Sequence, residues 1–187
     1  MLRPGYPIQT ARLLLRPLVA SDLDAVHDYR SLPAVTRYLY EPPSSRDETS
    51  QWLAKRSTET ALTAEGQALC LGVEERDSGQ LVGDVVLFWR SAAHQQGEVG
   101  YVFNPRYAGR GLATEASQAM LRLAFDGLGL HRVCGRCDGR NTASCRVLER
   151  LGMRREAHLV ENELVKGEWT DEVVYGMLRS EWAALNP

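Results

Sequence analysis

Asn104-Pro105-Arg106-Tyr107-Ala108-Gly109-Arg110-Gly111-Leu112-Ala113-Thr114-Glu115-Ala116 is the stretch on which the fold turns. It follows Gly97 to Phe103, which reads as a strand. It leads into Gly111 to Leu128, which reads as a long helix with Leu112, Ala116, Ala119, Met120 and Leu123 on one face. The first amides of such a helix lack intrahelical partners and carry about half a positive charge. Gly109 and Gly111 have no side chains to keep an anion away from them. Ala108, Gly109, Arg110, Gly111, Leu112, Ala113 and Thr114 therefore form a candidate pyrophosphate cradle, with the charge of Arg106 and Arg110 nearby.

Two spaced glycines also occur in plain strand-to-helix turns and in dinucleotide-binding folds. The dinucleotide reading fits poorly, because Thr114 stands where the third glycine would be. The turn also lies deep in the chain, after three or four strands, whereas a dinucleotide site follows the first strand of a βαβ run.

Outward from the turn, Thr10 to Leu18 reads as a first strand. Ser21 is placed to cap a helix through Leu23, Val26 and Arg30, with Asp24 as the capping-box acid and Pro33 as the stop. Asp47 to Thr60 reads as a second helix. Gln67 to Glu75 and Leu81 to Trp89 flank Asp77-Ser78-Gly79, a hairpin signal. After the long helix come a fifth strand, Leu130 to Cys137, and a helix, Asn141 to Leu151, with Gly152 past its end. A strand pair, His158 to Val165 and Val173 to Leu178, closes the chain. The order β-α-α-β-β-β-α-β-α-β-β predicts an α/β (α+β) fold: a mixed, mostly antiparallel sheet with one central parallel pair, flanked by about four helices.

The chain's 187 residues suit a single domain over residues 1–187, with a core of about 10–180. A 44% hydrophobic and 25% charged composition with net charge -2 carries no basic excess, so no nucleic-acid partner is expected. No stretch approaches the ~20 apolar residues of a membrane span, and the arginine-interrupted N-terminus lacks a signal-peptide core. With four cysteines in a chain large enough not to need them, a reducing, cytoplasmic setting is expected. Cys134 and Cys137 form a C-x-x-C, but strand alternation puts them on opposite faces. Neither a second C-x-x-C nor a histidine pair completes a metal site, so no metal is expected.

Arg106-x-x-Gly109-x-Gly111 resembles the pyrophosphate signature of the GNAT superfamily of acyl-CoA-dependent N-acetyltransferases. Gly111-Leu112-Ala113-Thr114-Glu115-Ala116 is similar to the form in the branch that acetylates ribosomal-protein N-termini. The likeness begins at Thr10-Ala11-Arg12-Leu13-Leu14-Leu15-Arg16, continues through Asn141-Thr142-Ala143-Ser144 and ends at Gly167-Glu168-Trp169-Thr170-Asp171. Each motif alone is weak, and four in order are strong.

The resemblance implies acetyl-CoA as cosubstrate and direct transfer to a primary amine, with a peptide N-terminus as one acceptor class and a small-molecule amine as another. It implies that the coenzyme lies where the fourth and fifth strands splay, with the backbone of Val102 and Phe103 pairing with its pantetheine arm. It gives Asn141, an ordinary N-cap by position, a second role toward pantetheine, and it makes Ser144 the residue that protonates the departing thiolate. It makes Glu163 the first candidate for general base and Glu98 the runner-up, and strand alternation puts Glu161 on the same face as Glu163. A non-catalytic acyl-CoA sensor would share the phosphate turn but not need Ser144 or the carboxylates. A homodimer is compatible with the sequence and nothing in it requires one.

Overall fold

The computed structural model describes residues 1–186. One eight-stranded sheet organises them: β1 (Ile8–Gln9), β2 (Leu13–Pro17), β3 (Ala68–Glu75), β4 (Leu81–Ser91), β5 (Gln96–Phe103), β6 (Arg132–Asp138), β7 (Arg154–Val165) and β8 (Glu168–Leu178). Their order is β1-β2-β3-β4-β5-β6-β8-β7. All neighbours are antiparallel except β5 and β6, which are joined by a crossover helix. The helices are α1 (Leu23–Arg30), α2 (Pro33–Thr36), α3 (Arg46–Arg56), α4 (Leu112–Arg122), α5 (Thr142–Arg150) and α6 (Arg179–Leu185).

Strand alternation divides the core between the two faces of the sheet. On β3, Leu69, Leu71 and Val73 join the larger cluster, beneath α4, with Leu112, Ala116 and Met120. Cys70, between them in sequence, faces the other way and packs with Leu18, Val26, Tyr29 and Leu53 of the α1/α3 layer. That second layer is tied to the sheet by a buried polar knot. Tyr29 Oη donates to Asp84 Oδ2 at 2.7 Å, Arg30 Nη2 reaches both Asp84 oxygens at 3.0 Å, and the Arg30 guanidinium lies 3.6 Å from the Trp52 ring centroid.

Several expected elements shift. The first strand shortens to Leu13–Pro17 and gains a two-residue partner, β1. Ser21 is not the cap of α1. A 3-10 turn precedes that helix, and Asp22, not Asp24, accepts from the Val19 amide at 2.8 Å. Pro33 opens α2 at its first turn, where a missing amide costs nothing, instead of merely stopping α1. The second helix starts one residue early, because Ser45 and Glu48 form a capping box. Six α-helices replace the expected four. The unforeseen α6 is anchored by Trp182, which stacks on Phe125 at 5.7 Å and donates to Asp126 at 3.1 Å. Phe125 sits in a π-helical turn, Leu123–Gly127, that continues α4.

Removing Asp84 would leave the Arg30 charge and the Tyr29 hydroxyl buried without a partner. Asp84→Ala is expected to lower unfolding stability by about 3 kcal/mol, read as an earlier urea midpoint at unchanged m-value.

Candidate active site

The parallel pair is short. β5 and β6 pair only at Gln96↔Arg132, Gly97↔Val133 and Glu98↔Cys134, and then part. From Val99 to Phe103, β5 keeps β4 on one side and has no strand on the other. β6 continues from Gly135 to Asp138 paired only with β8. Between the diverging strands lies a cavity of about 360 Å³. Glu98, Val102, Asn141, Ser144 and Glu163 all line it, drawn from β5, α5 and β7.

Asn141 is the N-cap of α5: its Oδ1 accepts from the Ser144 amide at 3.1 Å. That places Ser144 in the first helical turn, with its Oγ 2.9 Å from Tyr101 Oη. Tyr101 comes from the unpaired stretch of β5, and burial pushes its phenol above the ordinary range, so it remains protonated. Sequence reading missed Tyr101; its signal was an aromatic in the strand half that a splay would bare.

The two carboxylates differ in their surroundings. Glu98 is paired with Arg90 at 3.0 Å, and Glu172, also in the cavity wall, with Arg136 at 2.6 Å. Among the described residues no cation pairs with Glu163; Tyr40 lines the same cavity, and its phenol is raised by partial burial and then by the Glu163 charge. Glu161 does not share this face. A bulge between Leu159 and Glu163 interrupts the alternation, Glu161 adopts φ +47°, and although its amide donates to Asp171 of the wall at 3.0 Å, Glu161 itself does not line the cavity. The β7–β8 turn, Lys166-Gly167, reaches across to the α2–α3 segment, where Lys166 Nζ donates to the Thr36 carbonyl at 2.6 Å.

Beyond the cavity, β5 runs into the glycine turn. Asn104, which is buried, shapes it: Oδ1 accepts from the Arg106 amide at 3.0 Å and Nδ2 donates to Asp28. Gly109 and Gly111 have φ +76° and +77°, the left-handed region that glycine reaches without strain. A Cβ on Gly109 would meet nothing within 4 Å. Among the described residues nothing accepts from the amides of Gly109, Arg110 or Gly111, and Thr114 Oγ1 is shut from solvent with no partner. Open amides, an unobstructed approach and an orphan hydroxyl fit a bound pyrophosphate. The two arginines are otherwise engaged: Arg106 pairs with Asp28 at 3.0 Å and Arg110 with Glu75.

A second arginine-centred contact was not foreseen. Glu115, in the first turn of α4, accepts from Thr10 Oγ1 at 2.6 Å, the Arg12 amide at 2.8 Å and Arg12 Nε at 2.7 Å, while Arg12 Nη1 donates to the Arg110 carbonyl. Partial burial pushes the Glu115 carboxyl up, but those hydrogen bonds and the Arg12 charge outweigh it and hold the group below its usual range.

The C-x-x-C cysteines lie apart, as alternation requires. Cys137 lines the cavity and meets Cys145 of α5, while Cys134 sits next to Glu98, where burial and that charge raise its thiol to about 11. Among the described residues no group of three His, Cys, Asp or Glu side chains is placed to hold a metal ion, and no helix is long and apolar enough to cross a membrane.

Residues 12–154 match the acetyltransferase (GNAT) domain, and the chain belongs to this family of N-acetyltransferases, which use acetyl-CoA. It is 34% identical to the uncharacterized N-acetyltransferase YnaD of Bacillus subtilis over 94% of this chain and 98% of that one. It is 26% identical to the [ribosomal protein uS5]-alanine N-acetyltransferase of Escherichia coli, covering 96% and 94%. Among solved structures, spermidine N-acetyltransferase from Vibrio cholerae in complex with CoA and spermine superposes with a TM-score of 0.77 at 25% identity, over 93% and 99% of the chains.

Gly111→Glu sets a side chain and a negative charge in the turn. It is expected to weaken CoA binding at least about 100-fold by calorimetry, while the left-handed backbone costs only ~1–2 kcal/mol of fold stability. Wild-type affinity in a folded variant would remove the coenzyme from this turn.

Proposed function

We propose that this chain moves acetyl from acetyl-CoA directly to a single primary amine, with a peptide α-amino group as the acceptor class. The carrying observation is that Ser144 and Glu163 line one cavity from different elements, α5 and β7, where the strands diverge. In this reading the amides of Gly109 to Leu112 hold the pyrophosphate, with Ala108, Ala113 and Thr114 completing the cradle. Arg106 and Arg110, paired with Asp28 and Glu75, flank the turn. The bare edge of β5 at Val102 and Phe103, with Asn141 opposite, holds the pantetheine arm as an added strand would.

The chemistry follows from charge. An ammonium cannot attack, so Glu163 takes its proton, directly or through one water. The free amine adds to the thioester carbonyl, whose oxygen gains negative charge that a β5 amide stabilises. As the C–S bond breaks, the thiolate takes the Ser144 Oγ proton, and the proton that the nitrogen sheds on becoming an amide passes through water to restore the Ser144 hydroxyl, beside which Tyr101 Oη lies at 2.9 Å.

Electrostatics favours an acceptor with one cationic group. Of the carboxylates in the wall, Glu98, Glu172 and Asp138 face Arg90, Arg136 and Arg140, and Asp171 faces His158, which leaves Glu163 as the one without a basic partner among the described residues. A polyamine would call for several free carboxylates. An α-amine, with pKa ~7.7–8.0 against ~10.4 for a lysine amine, also needs only mild help from a base. The polyamine reading draws support from the spermine-bound neighbour. CoA release measured across short peptides and polyamines distinguishes the two, and release with neither but tight acetyl-CoA binding would turn the reading to a non-catalytic sensor.

Ser144→Ala is expected to lower kcat by ~10²-fold or more, the usual worth of general acid catalysis, with CoA affinity near wild type. An unchanged kcat with chemistry shown to limit the rate would reduce Ser144 to a helix residue.

Glu163→Gln keeps the size of the side chain and removes its basicity. Its rate should fall near neutral pH and recover in part at high pH, where more acceptor is already deprotonated. Glu98→Gln is expected to cost less, and Glu161→Gln, outside the cavity, to leave the pH–rate profile in place. A loss confined to Glu98→Gln would move the base to β5.

A further inference from the structure

Two thiols that the acetyl transfer does not use meet in the wall of the cleft. Cys137, at the splayed end of β6, lines the cavity, and its Sγ lies 3.7 Å from Sγ of Cys145 on α5. Both side chains are half-buried and both thiols are free. A disulfide bond is about 2.05 Å long, so the sulfurs need to approach by a further ~1.7 Å. Cys145 directly follows Ser144, and its amide donates to the Asn141 carbonyl at 3.0 Å. A displacement of Cys145 is therefore carried to both Ser144 and Asn141.

We propose that Cys137 and Cys145 are an oxidisable dithiol that closes to a disulfide within the cleft and switches the transferase off. The oxidant is a low-molecular-weight disulfide, RSSR. One cysteine attacks it as the thiolate, the S–S bond breaks, and RS⁻ leaves and is protonated by water. The second cysteine then attacks the mixed disulfide and releases the second RS⁻. In sum, two cysteine thiols and RSSR give one cystine and two RSH, with two electrons passing from protein to reagent. Coenzyme A disulfide is an RSSR whose nucleotide half the cleft would hold; that clause rests on the coenzyme reading above, and closure of the pair does not.

Burial, then the neighbouring Cys145, push the Cys137 thiol up to about 12. A protonated thiol is a poor nucleophile, so closure is expected to be slow and to need excess disulfide.

The test treats the native full chain with bis(2-hydroxyethyl) disulfide and, separately, with coenzyme A disulfide. The expected product has lost about 2 Da, the two thiol hydrogens, with a Cys137–Cys145 cross-link in the peptide map and two equivalents of RSH released. Its kcat is lower by about tenfold or more, as a misplacement on the ångström scale brings, and returns with dithiothreitol. Cys145→Ala is expected to keep the basal rate and to stop at a mixed disulfide on Cys137. Four retained thiols, a cross-link elsewhere, or closure with no change in kcat would each overturn the proposal. Calorimetry of CoA on the reduced chain tests the coenzyme reading separately: closure by the hydroxyethyl reagent in a chain that fails to bind CoA would uphold the dithiol and sink the cleft assignment.

Discussion

Three residue pairs hold β5 to β6, and the separation beyond Glu98 and Cys134 creates the site. A parallel pair normally satisfies its backbone along its length. Here the β5 edge is left without a strand partner from Val99 onward, where a sheet would otherwise be closed. The first turn of α5 takes the place of the missing pairs, and Tyr101 bridges the gap to Ser144 by side chain instead of by ladder. The unpaired edge is thus held open by packing at one end and by a hydrogen bond in the middle, so the cleft is built before any ligand arrives.

The charge around that cleft is largely settled inside the protein. Arg106, Arg110, Arg90 and Arg136 each face a carboxylate, so the positive potential at the glycine turn comes mostly from oriented amides. Amides are fixed by the backbone and lose no side-chain entropy on binding, whereas a free arginine would lose rotamer freedom. The same pairing leaves Glu163 as the one carboxylate lining the cleft with no basic partner among the described residues.

The glycine turn was legible because two physical requirements, a left-handed backbone and open amides, admit few residues other than glycine. The N-cap role of Asn141 was legible for a similar reason: few side chains cap a helix well. Strand alternation correctly separated Cys134 from Cys137 and failed at Glu161, because a bulge removes the period of two and leaves only weak marks in sequence. The capping of α1 was misplaced by the interposed 3-10 turn, which Ser21-Asp22-Leu23-Asp24 does not distinguish from a helix start. Tyr101, Asp84 and Glu115 escaped notice because their roles depend on partners 43 to 105 residues away, as in the Tyr101–Ser144 and Thr10–Glu115 contacts, and local patterns do not encode such pairings.

The clamp of Thr10 and Arg12 on Glu115 has a consequence for how the site comes into being. The anion cradle sits in the middle of the chain, yet its first helical turn is fastened by residues 103 to 105 positions earlier. During synthesis Thr10 and Arg12, which lie between β1 and β2, are made long before Glu115 and stay without that partner until it follows. The start of α4 is therefore fixed by a contact of high sequence separation, which forms only once both ends of that long loop exist.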